Sequence, residues 1–500
     1  MKLSSLVHFI EGKRGGLLFH STSLFQLYLN SRTSNVLFKA LENNYLSEQH
    51  LLKILKKNRI SDPAGLVSQL LTNKYIISSD DEDRKAIQKV KEDFGDLPYL
   101  TVLYVVLGTA CNLECSYCFV GPSPPPPFSS QFSLAENRNA FKKALSLLPE
   151  SSDKLTILFY GGEPLIFFEQ MKKITNFLRK RLAGKKDLEF IVTTNGTLIN
   201  KTTAKWFHDN EISVGVSIDG AETSHNAHRK YKDGRGSYED VLRGFKMLRD
   251  AGNEASISFT VSAANIDGLW DDLDHIVEQF SPTAMVFNPL RASANGKDYG
   301  GPDYPEKFAR IAYEGWKYLG NKGISEGRCM RIIRSLAERK PRYSDCAACG
   351  NQLVLLPGSE FSICQGLISH KKHTYTLDEW NGRLSEDLKE WSLRSPLNMP
   401  ECHGCIALGA CGGGCPCRVI AKGSSMWSLD GQHCTFAKHI VNSFLREVCE
   451  EKEQQLAKGE VVMTEIKIED LPRDQKISKE EMRRVLGGSM PVPLPYQPPR

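Results

Sequence analysis

The 500-residue sequence contains no long apolar run and no block of like charge. Its longest apolar stretches, such as LTVLYVVL at 100–107, fall far short of the roughly 20 residues that cross a bilayer, so no membrane segment is expected. The first residues (MKLSSLVHFIEGKRGG) have too short an apolar stretch for a secretory signal, and the expected location is cytoplasmic. The formal net charge is only +5 without a basic cluster, so nucleic acid is not an expected partner.

Cysteine is absent from residues 1–110, although the chain contains 14 cysteines. Cytoplasmic thiols stay reduced, so the clustered cysteines further on are expected to bind metal rather than to form disulfides. The cysteine-free residues 1–95 indicate short strands, two helices, and a last helix leading into a strand. This order is typical of a winged-helix-like module, which a mixed-charge run (SSDDEDRKAIQKVKEDFGD) links to the rest.

Residues 96–320 alternate between buried-type strands and helical patterns. The predicted strands are TVLYVVLG, KLTILFYGG, EFIVTTNG, ISVGVSIDG, ASISFTVS and MVFNPLRA. Apolar strands separated by helices indicate parallel βαβ units. The predicted fold class is therefore α/β, with a partial (β/α)6 barrel whose chemistry lies at the carboxyl ends of the strands. Residues 321–450 are predicted to form a cysteine-rich domain, and 451–500 a charged helix and tail.

The stretch CNLECSYC at 111–118 follows the first barrel strand. Three thiolates can bind three irons of a [4Fe–4S] cube and leave the fourth iron open. A structural zinc site needs a fourth protein ligand nearby, and the next cysteine is Cys329. The spacing therefore favours a cluster with one open iron.

This loop resembles the CxxxCxΦC motif of the radical S-adenosylmethionine (SAM) superfamily. FYGGEP (159–164), TTNGT (193–197) and SIDG (217–220) follow at later strand ends, as in that family. The resemblance implies that SAM binds the open iron and yields a 5′-deoxyadenosyl radical that abstracts hydrogen. His225-Asn226 departs from the family's frequent His-Asp. The implied cluster ligands are Cys111, Cys115 and Cys118, and the implied SAM-binding residues are Tyr117, Gly161, Gly162, Glu163, Asn195, Ser217, Asp219 and Arg229.

A second cysteine group, PECHGCIALGACGGGCPC at 400–417, resembles the SPASM extension of radical SAM enzymes, which carries two auxiliary [4Fe–4S] clusters. The resemblance implies an outer cluster on Cys402, Cys405, Cys411 and Cys434, and an inner cluster on Cys349, Cys364 and Cys415. Cys346 is the candidate for the fourth inner ligand, whose identity the sequence leaves open. Glycines 412–414 are expected to bend the loop tightly between the two sets. In PGSEFSIC (357–364), Ser359 stands where the family has glycine. Two zinc knuckles are the alternative interpretation.

SPASM enzymes mostly modify peptides or proteins, so the predicted function is maturation of a ribosomally made peptide by a cross-link (thioether or carbon–carbon) or a related oxidation. The predicted partners are a precursor peptide and a reduced flavodoxin- or ferredoxin-type electron donor. One alternative is a sulfatase maturase that makes formylglycine. In that branch an aspartate, the proposed base, follows the inner-cluster cysteine, whereas Gln365 follows Cys364 here. The other alternative is a zinc-stabilised peptide- or nucleic-acid-binding protein. The sequence identifies neither the bond formed nor a catalytic base.

The tail beyond 460 predicts an edge strand (VVMTEIKIEDL) and a short helix that begins with a capping box at Ser478 and Glu481. Gly487-Gly488 ends this helix, and a polyproline-like segment follows. The arrangement resembles a leader running into a core peptide. The tail is therefore interpreted as a fused substrate or a leader mimic that pairs with the N-terminal sheet, with a disordered tail as the alternative.

Overall fold

A computed structural model describes residues 1–42, 46–93, 100–118, 131–149, 154–290 and 299–458. The leader-like tail at 461–500 and the stretch GPSPPPPF at 121–128 lie outside the described residues.

The N-terminal part contains a three-stranded antiparallel sheet, in the order β2-β3-β4, against which helices pack. The predicted order of strands, helices, last helix and strand is found. Most of the mixed-charge run forms a helix whose first turn is acidic, as a helix N-terminus favours. The elements are β1 (Lys2–Leu3), β2 (Val7–Glu11), β3 (Gly15–His20), β4 (Gln26–Asn30), α1 (Ser31–Leu41), α2 (Glu48–Lys57), α3 (Pro63–Thr72), β5 (Ile76–Ile77) and α4 (Asp80–Asp93).

All six predicted barrel strands are present, parallel and in chain order. Helices fill most of the connections between them, as parallel pairing requires. The elements are β6 (Val102–Val106), α5 (Arg138–Leu145), β7 (Lys154–Tyr160), α6 (Phe168–Leu182), β8 (Asp187–Thr194), α7 (Lys201–Asp209), β9 (Ile212–Ser217), α8 (Glu222–His228), α9 (Tyr238–Asp250), β10 (Ala255–Val261), α10 (Leu269–Phe280), β11 (Ala284–Pro289), α11 (Tyr304–Asn321), β12 (Ser325–Glu326) and α12 (Gly327–Glu338).

The cysteine-rich part is joined to the barrel through the sheet, which the sequence pattern did not predict. A strand at 352–356 pairs in parallel with β6, with Gln352 opposite Val102, and two antiparallel strands follow it. The remaining elements are short apart from the last helix. They are β13 (Gln352–Leu356), β14 (Glu360–Ser362), β15 (Thr374–Tyr375), α13 (Ser385–Ser392), α14 (Leu408–Cys411), α15 (Pro416–Ala421) and α16 (Gly431–Ala457).

The barrel interior is apolar on one side. Val102, Tyr104 and Val106 of β6 cluster with Leu158 of β7 and with Ile191 of β8. Residues of the cysteine-rich part complete this cluster, which also contacts the side chain of the last cysteine of the 111–118 loop; they are Ala347, Val354, Leu356 and Ile368. The cysteine-rich part therefore completes the apolar cluster beside the cysteine loop.

The N-terminal sheet docks on the cysteine-rich part. Glu453 of α16 accepts hydrogen bonds from the backbone N–H groups of Lys13 and Arg14, at 3.2 and 2.7 Å, in the turn between β2 and β3. The N–H of Gly409 in α14 donates to the carbonyl of Ser21, at 2.7 Å. The N-terminal sheet is therefore connected to α14 and α16 next to the second cysteine group. Within the described residues, no helix is both long and apolar enough to cross a membrane.

Candidate active site

The sequence motifs converge at the carboxyl ends of the barrel strands. The cysteine loop follows β6, residues 161–163 follow β7, Asn195 follows β8 and Asp219 follows β9. The carboxyl ends of parallel strands share one edge, which is where such barrels carry their chemistry.

The cysteine loop is held by the segment that follows α8. The N–H of Glu114 donates to the carbonyl of Lys230 at 2.8 Å, and the N–H of Ser116 to that of His228 at 3.2 Å. The His228 ring lies 5.3 Å from that of Tyr117, and its Nδ1 is 2.7 Å from the Ser116 hydroxyl. The loop is therefore fixed by backbone pairing that the cysteine spacing alone did not reveal.

The three thiols of this loop influence one another and are partly buried. Burial raises the pKa of Cys111 to about 11, although the hydrogen bond from the N–H of Leu113 opposes this rise. The neighbouring Cys115 thiol adds to it. Burial also raises the pKa of Cys115 to about 11, with the Arg229 charge opposing and the Cys118 thiol reinforcing it. The metal-free thiols of Cys111 and Cys115 are protonated near neutral pH, so metal binding to them must release protons.

Two glycines let the next loop pack against the entry to the cysteine loop. Gly161 has φ of +141°, and a Cβ there would lie 2.1 Å from the carbonyl oxygen of Gly108. A Cβ on Gly162 would lie 2.3 Å from the carbonyl oxygen of Ala110. Both positions therefore require glycine for backbone packing, and their predicted contact with SAM stays a prediction.

Glu163 joins the ends of β7 and β8 from inside the protein. Its carboxylate is 1% exposed and accepts from the hydroxyl of Thr194 and the N–H groups of Leu165 and Asn195, at 2.7 to 2.9 Å. Burial raises the pKa of this carboxyl group despite these donors. Glu163 therefore acts on the site by fixing the backbone of Asn195.

Asn195 connects β8 to the cysteine loop. Its Nδ2 donates to Asn112 Oδ1 at 2.9 Å and lies 3.8 Å from Cys111 Sγ. Its Oδ1 accepts from the hydroxyl and the N–H of Thr197, at 2.7 and 3.0 Å. The sequence identified Asn195 but missed Asn112, whose position between two cysteines was the available signal.

Asp219 and Arg229 form a buried ion pair at the end of β9. Arg229 Nε donates to Asp219 Oδ2 at 2.7 Å, and the two residues are 8% and 1% exposed. Asp219 also accepts from the Tyr117 hydroxyl and from the N–H of Thr260 at 2.8 Å. Burial opposes ionisation of Asp219, but the Arg229 charge outweighs it and holds the carboxyl pKa below its usual value. The predicted pairing of Arg229 with the SAM carboxylate stays a prediction.

The His-Asn pair that departs from the family pattern has structural partners. His225 Nδ1 lies 3.4 Å from the Asp219 nitrogen, and its Nε2 lies 3.0 Å from the Ser237 hydroxyl. Asn226 Oδ1 accepts from the N–H groups of Ser237 and Tyr238, at 2.9 and 3.1 Å, before α9. The side-chain amide of Asn226 therefore satisfies these N–H groups at the start of α9, and a carboxylate is not needed for this role. Ser217, 9% exposed, ends β9 opposite Ser258 of β10.

The four predicted outer ligands lie near one another. Burial raises the pKa of Cys402 to about 11, and the thiols of Cys434 and Cys405 reinforce it. Burial likewise raises the pKa of Cys411 to about 12, opposed by the Gly413 N–H and reinforced by Cys405 and Cys402.

Cys346, Cys349 and Cys415 of the predicted inner set are also neighbours. The neighbouring Cys346 thiol and burial raise the pKa of Cys349, and the Cys415 thiol adds to the rise. The Cys364 thiol lies 3.4 Å from the N–H of Gly366 and 3.9 Å from Gln365 Oε1.

Two backbone expectations in this region are resolved. Glycines 412–414 all have positive φ, of 71°, 86° and 73°, so the predicted tight bend between the two cysteine sets is confirmed. Ser359 adopts the glycine-like φ of +62°. Its N–H donates to Asn137 Oδ1 at 2.9 Å, and its hydroxyl donates to the carbonyl of Glu136 at 2.8 Å. These bonds hold a conformation that a side chain disfavours.

A second cation lies at the same edge of the barrel, and the sequence missed it. Arg328 Nε donates to the carbonyl of Phe287 at 2.5 Å, and its Nη2 donates to Asn288 Oδ1 at 3.1 Å. Asn288 is held in turn by the Ser258 hydroxyl at 2.8 Å. Burial and the charge of Arg331 lower the pKa of Arg328 to about 10. Within the described part of the chain, no carboxylate forms an ion pair with it.

The donor set fits an iron–sulfur cluster. Cysteine thiolates are the usual ligands of such clusters, and three of them leave one iron of a cube open. Across the described ranges, no group of three or more His, Cys, Asp or Glu side chains is arranged to hold a single metal ion.

Comparison with known proteins identifies the domain. Residues 105–276 match the Radical SAM superfamily. The chain contains a radical SAM domain. The serine-type anaerobic sulfatase-maturating enzyme of Klebsiella aerogenes is 25% identical over 339 residues, which cover 65% of this chain and 81% of that protein. The radical SAM cyclopropyl synthase TigE of Paramaledivibacter caminithermalis is 22% identical over 445 residues, 82% of this chain and 89% of TigE.

Solved structures share the fold of this radical SAM protein. Native anSMEcpe with bound AdoMet superimposes with a TM-score of 0.58 at 20% identity, over 70% of this chain and 99% of that one. Streptococcus suis SuiB bound to its precursor peptide SuiA superimposes with a TM-score of 0.50 at 16% identity, over 86% and 99%. The predicted partial barrel is confirmed by this likeness.

Proposed function

We propose that the protein is a radical SAM enzyme that modifies a ribosomally made peptide. The observation that carries the proposal is the three-thiol loop at the carboxyl edge of a parallel barrel whose sequence matches the Radical SAM superfamily. A [4Fe–4S] cluster bound there supplies the reductive cleavage of SAM to a 5′-deoxyadenosyl radical. Cys111, Cys115 and Cys118 are the proposed ligands.

Within this proposal the surrounding side chains orient the loop and hold its charge. Asn195 reaches Asn112 and Cys111, and Glu163 fixes the backbone of Asn195. The Asp219–Arg229 pair lies against the ring of Tyr117, whose centroid is 5.5 Å from the guanidinium carbon of Arg229. These contacts support a rigid edge that binds SAM in one orientation.

Two auxiliary [4Fe–4S] clusters complete the proposed cofactor set. The proximity of the four outer thiols supports one cluster, and that of Cys346, Cys349 and Cys415 supports the other. Cys364 is the remaining proposed inner ligand. A reduced flavodoxin- or ferredoxin-type protein is the proposed electron donor.

Three features support a peptide as the substrate. TigE and the sulfatase-maturating enzymes are named for modification reactions, and SuiB was solved with a precursor peptide. The N-terminal sheet has edge strands β2 and β4 to which an extended leader can add. Arg328 offers a fixed guanidinium at the barrel edge for a carboxylate or carbonyl of the bound peptide.

A sulfatase-maturase activity is the second candidate, favoured by the relatives' names. The residue after Cys364 favours the cross-linking reaction over sulfatase maturation. Gln365 is 4% exposed and its Oε1 accepts from Gln352 Nε2 at 3.0 Å. An amide held in this way cannot take up a proton as an aspartate base would.

Anaerobic reconstitution tests the cofactor proposal. We expect about twelve irons per chain, three clusters of four, and formation of 5′-deoxyadenosine from SAM with a reductant. Cys115→Ala should abolish 5′-deoxyadenosine, whereas Cys449→Ala, a buried cysteine on α16, should retain it. Equal activity of the two variants, or tightly bound zinc in place of iron, would overturn the proposal.

Mass spectrometry of candidate peptides tests the substrate. Incubation with a sulfatase peptide and with precursor peptides should give a mass loss only in a precursor, and conversion of the sulfatase peptide would establish the second candidate instead. The fused-substrate interpretation predicts a mass change within residues 489–500 of the enzyme itself. An unchanged mass there, together with full activity after deletion of 461–500, would remove that interpretation.

A further inference from the structure

Arg394 is among the most deeply buried large side chains of the protein. It follows α13, lies in the cysteine-rich part and is 1% exposed. An arginine is charged at any pH that the folded protein experiences, so this burial places a cation away from water. A buried cation is costly unless an anion or dense hydrogen bonding compensates it.

The hydrogen bonds of Arg394 go to neutral acceptors. Its Nε donates to the carbonyl of Met426 at 2.5 Å, and its Nη2 to that of Ser428 at 3.3 Å. Its Nη1 donates to the carbonyls of Gly413 and Gly414, at 2.6 and 3.3 Å. These four bonds satisfy most of the guanidinium donors but supply no countercharge.

Three other arginines of the described residues, which are 7–8% exposed, are each paired with a carboxylate. Arg229 contacts Asp219, Arg342 contacts Asp345 at 2.6 Å, and Arg418 contacts Asp430 at 2.8 Å. Within the same described ranges, Arg394 has no carboxylate in ion-pair contact. Arg394 therefore needs a countercharge from an anion other than a side-chain carboxylate.

Arg394 binds the backbone segment that connects the two sets of thiols. The N–H of Gly413, whose carbonyl it holds, donates to Cys411 Sγ at 3.3 Å, and Gly414 directly precedes Cys415. Arg394 lies near enough to the outer thiols of Cys402 and Cys434 for its charge to act on both. The same charge also reaches Cys349 of the other set.

We propose that Arg394 is the shared countercharge of the two auxiliary iron–sulfur clusters and raises their reduction potentials. The inference rests on the proposed function, because it requires both clusters. A cube with four thiolate ligands carries net negative charge, and one-electron reduction makes it more negative. A fixed cation nearby stabilises the reduced state, and Arg394 meets this need in a site that water does not screen.

The test measures the auxiliary potentials directly. In a Cys111→Ala/Cys115→Ala/Cys118→Ala background, only the auxiliary clusters contribute to an electron paramagnetic resonance signal. Redox titration of this background protein is then repeated with Arg394→Gln, Arg394→Lys and Arg383→Gln. Arg383 is the matched control, since it also donates to two carbonyls, of Lys372 at 2.7 Å and Thr374 at 2.6 Å, and ion-pairs with Glu379.

We expect Arg394→Gln to shift at least one auxiliary midpoint to more negative values. Arg394→Lys should shift it less, and Arg383→Gln should leave it unchanged. Unshifted potentials in Arg394→Gln with full iron content would overturn the proposal. If Arg394→Gln loses iron, retention of iron by Arg394→Lys supports a role for the positive charge. Equal loss of iron by both variants overturns the proposal and assigns Arg394 a purely structural role through its hydrogen bonds. Absence of auxiliary iron with Arg394 intact would instead refute the cluster proposal, and this inference with it.

Discussion

Buried arginines occur at the carboxyl edge of the barrel and in the cysteine-rich part, and their partners differ. At the barrel edge Arg229 is paired with Asp219, and further hydrogen bonds tie that carboxylate to β10 and to Tyr117. In the cysteine-rich part Arg394 contacts only main-chain carbonyls. Arg229 is thus balanced in charge by the barrel's own carboxylate, whereas Arg394 would be balanced only by the anionic clusters proposed for the cysteine-rich part. The first region should keep its shape without cofactor, and the second should depend on it.

Breaking the barrel pair is expected to have the largest effect on stability. Asp219→Asn leaves Arg229 buried without a counterion, so the free energy of unfolding should fall by about 3–5 kcal/mol. Chemical denaturation of the reconstituted protein, followed by circular dichroism, measures the change. Asp219→Asn/Arg229→Gln removes the unpaired charge and should recover part of the loss. A double variant as unstable as the single one would show that the charge balance is not what stabilises this edge.

The unpaired Arg328 at the same edge gives a smaller effect, on catalysis. If it binds a carboxylate or carbonyl of the peptide, Arg328→Gln loses a charge-assisted hydrogen bond worth about 1.5–3 kcal/mol. We expect kcat/KM for the peptide to fall by at least about tenfold, while 5′-deoxyadenosine formation without peptide stays unchanged. Arg310→Gln, an exposed residue on α11, is the control. Equal losses with and without peptide would assign Arg328 to the barrel scaffold instead.

The charge balance at the barrel edge also depends on His225 remaining neutral. Burial lowers the pKa of His225 to about 3, and the Arg229 charge adds to this effect. Because the unfolded chain binds this proton more readily, the stability is fully present above about pH 6.5 and declines as the pH falls, by up to about 1.4 kcal/mol per pH unit. His225→Gln should flatten the profile between about pH 6.5 and 5 by one proton. His50→Gln, exposed on α2, should leave the slope unchanged, and a steep slope that persists in His225→Gln would contradict the assignment.

The difference between the barrel and the cysteine-rich part also explains which features the sequence could predict. The six barrel strands are continuous apolar runs separated by helical patterns, and all six were located. Motifs at strand ends came together because parallel strands place their carboxyl ends at one edge. The cysteine spacing also grouped four outer thiols, and their grouping as ligands of one cluster stays a prediction.

What the sequence missed depends on contacts between distant segments. The pairing of β13 with β6 joins residues about 250 positions apart, and no local pattern encodes it. Arg394 and Arg328 carry no motif, and their roles follow from the acceptors that folding places around them. Gly161 and Gly162 were assigned to cofactor contact, but the fold uses them first for packing against residues 108–110.

The smallest expected effect concerns the joint between the N-terminal sheet and the cysteine-rich part. Glu453 receives two backbone N–H groups of the β2–β3 turn, so Glu453→Gln weakens one charge-assisted contact by about 0.5–1.5 kcal/mol. Hydrogen exchange at residues 12–15 should become faster by about tenfold at most, while exchange in β6 to β9 stays unchanged. Glu450→Gln, exposed on the same helix, is the control. Unchanged exchange at the turn would show that the apolar contacts of α16 suffice to dock the sheet. Faster exchange throughout the barrel would show instead that the joint supports the whole protein, and the barrel would then not be the independent region that its balanced charges indicate.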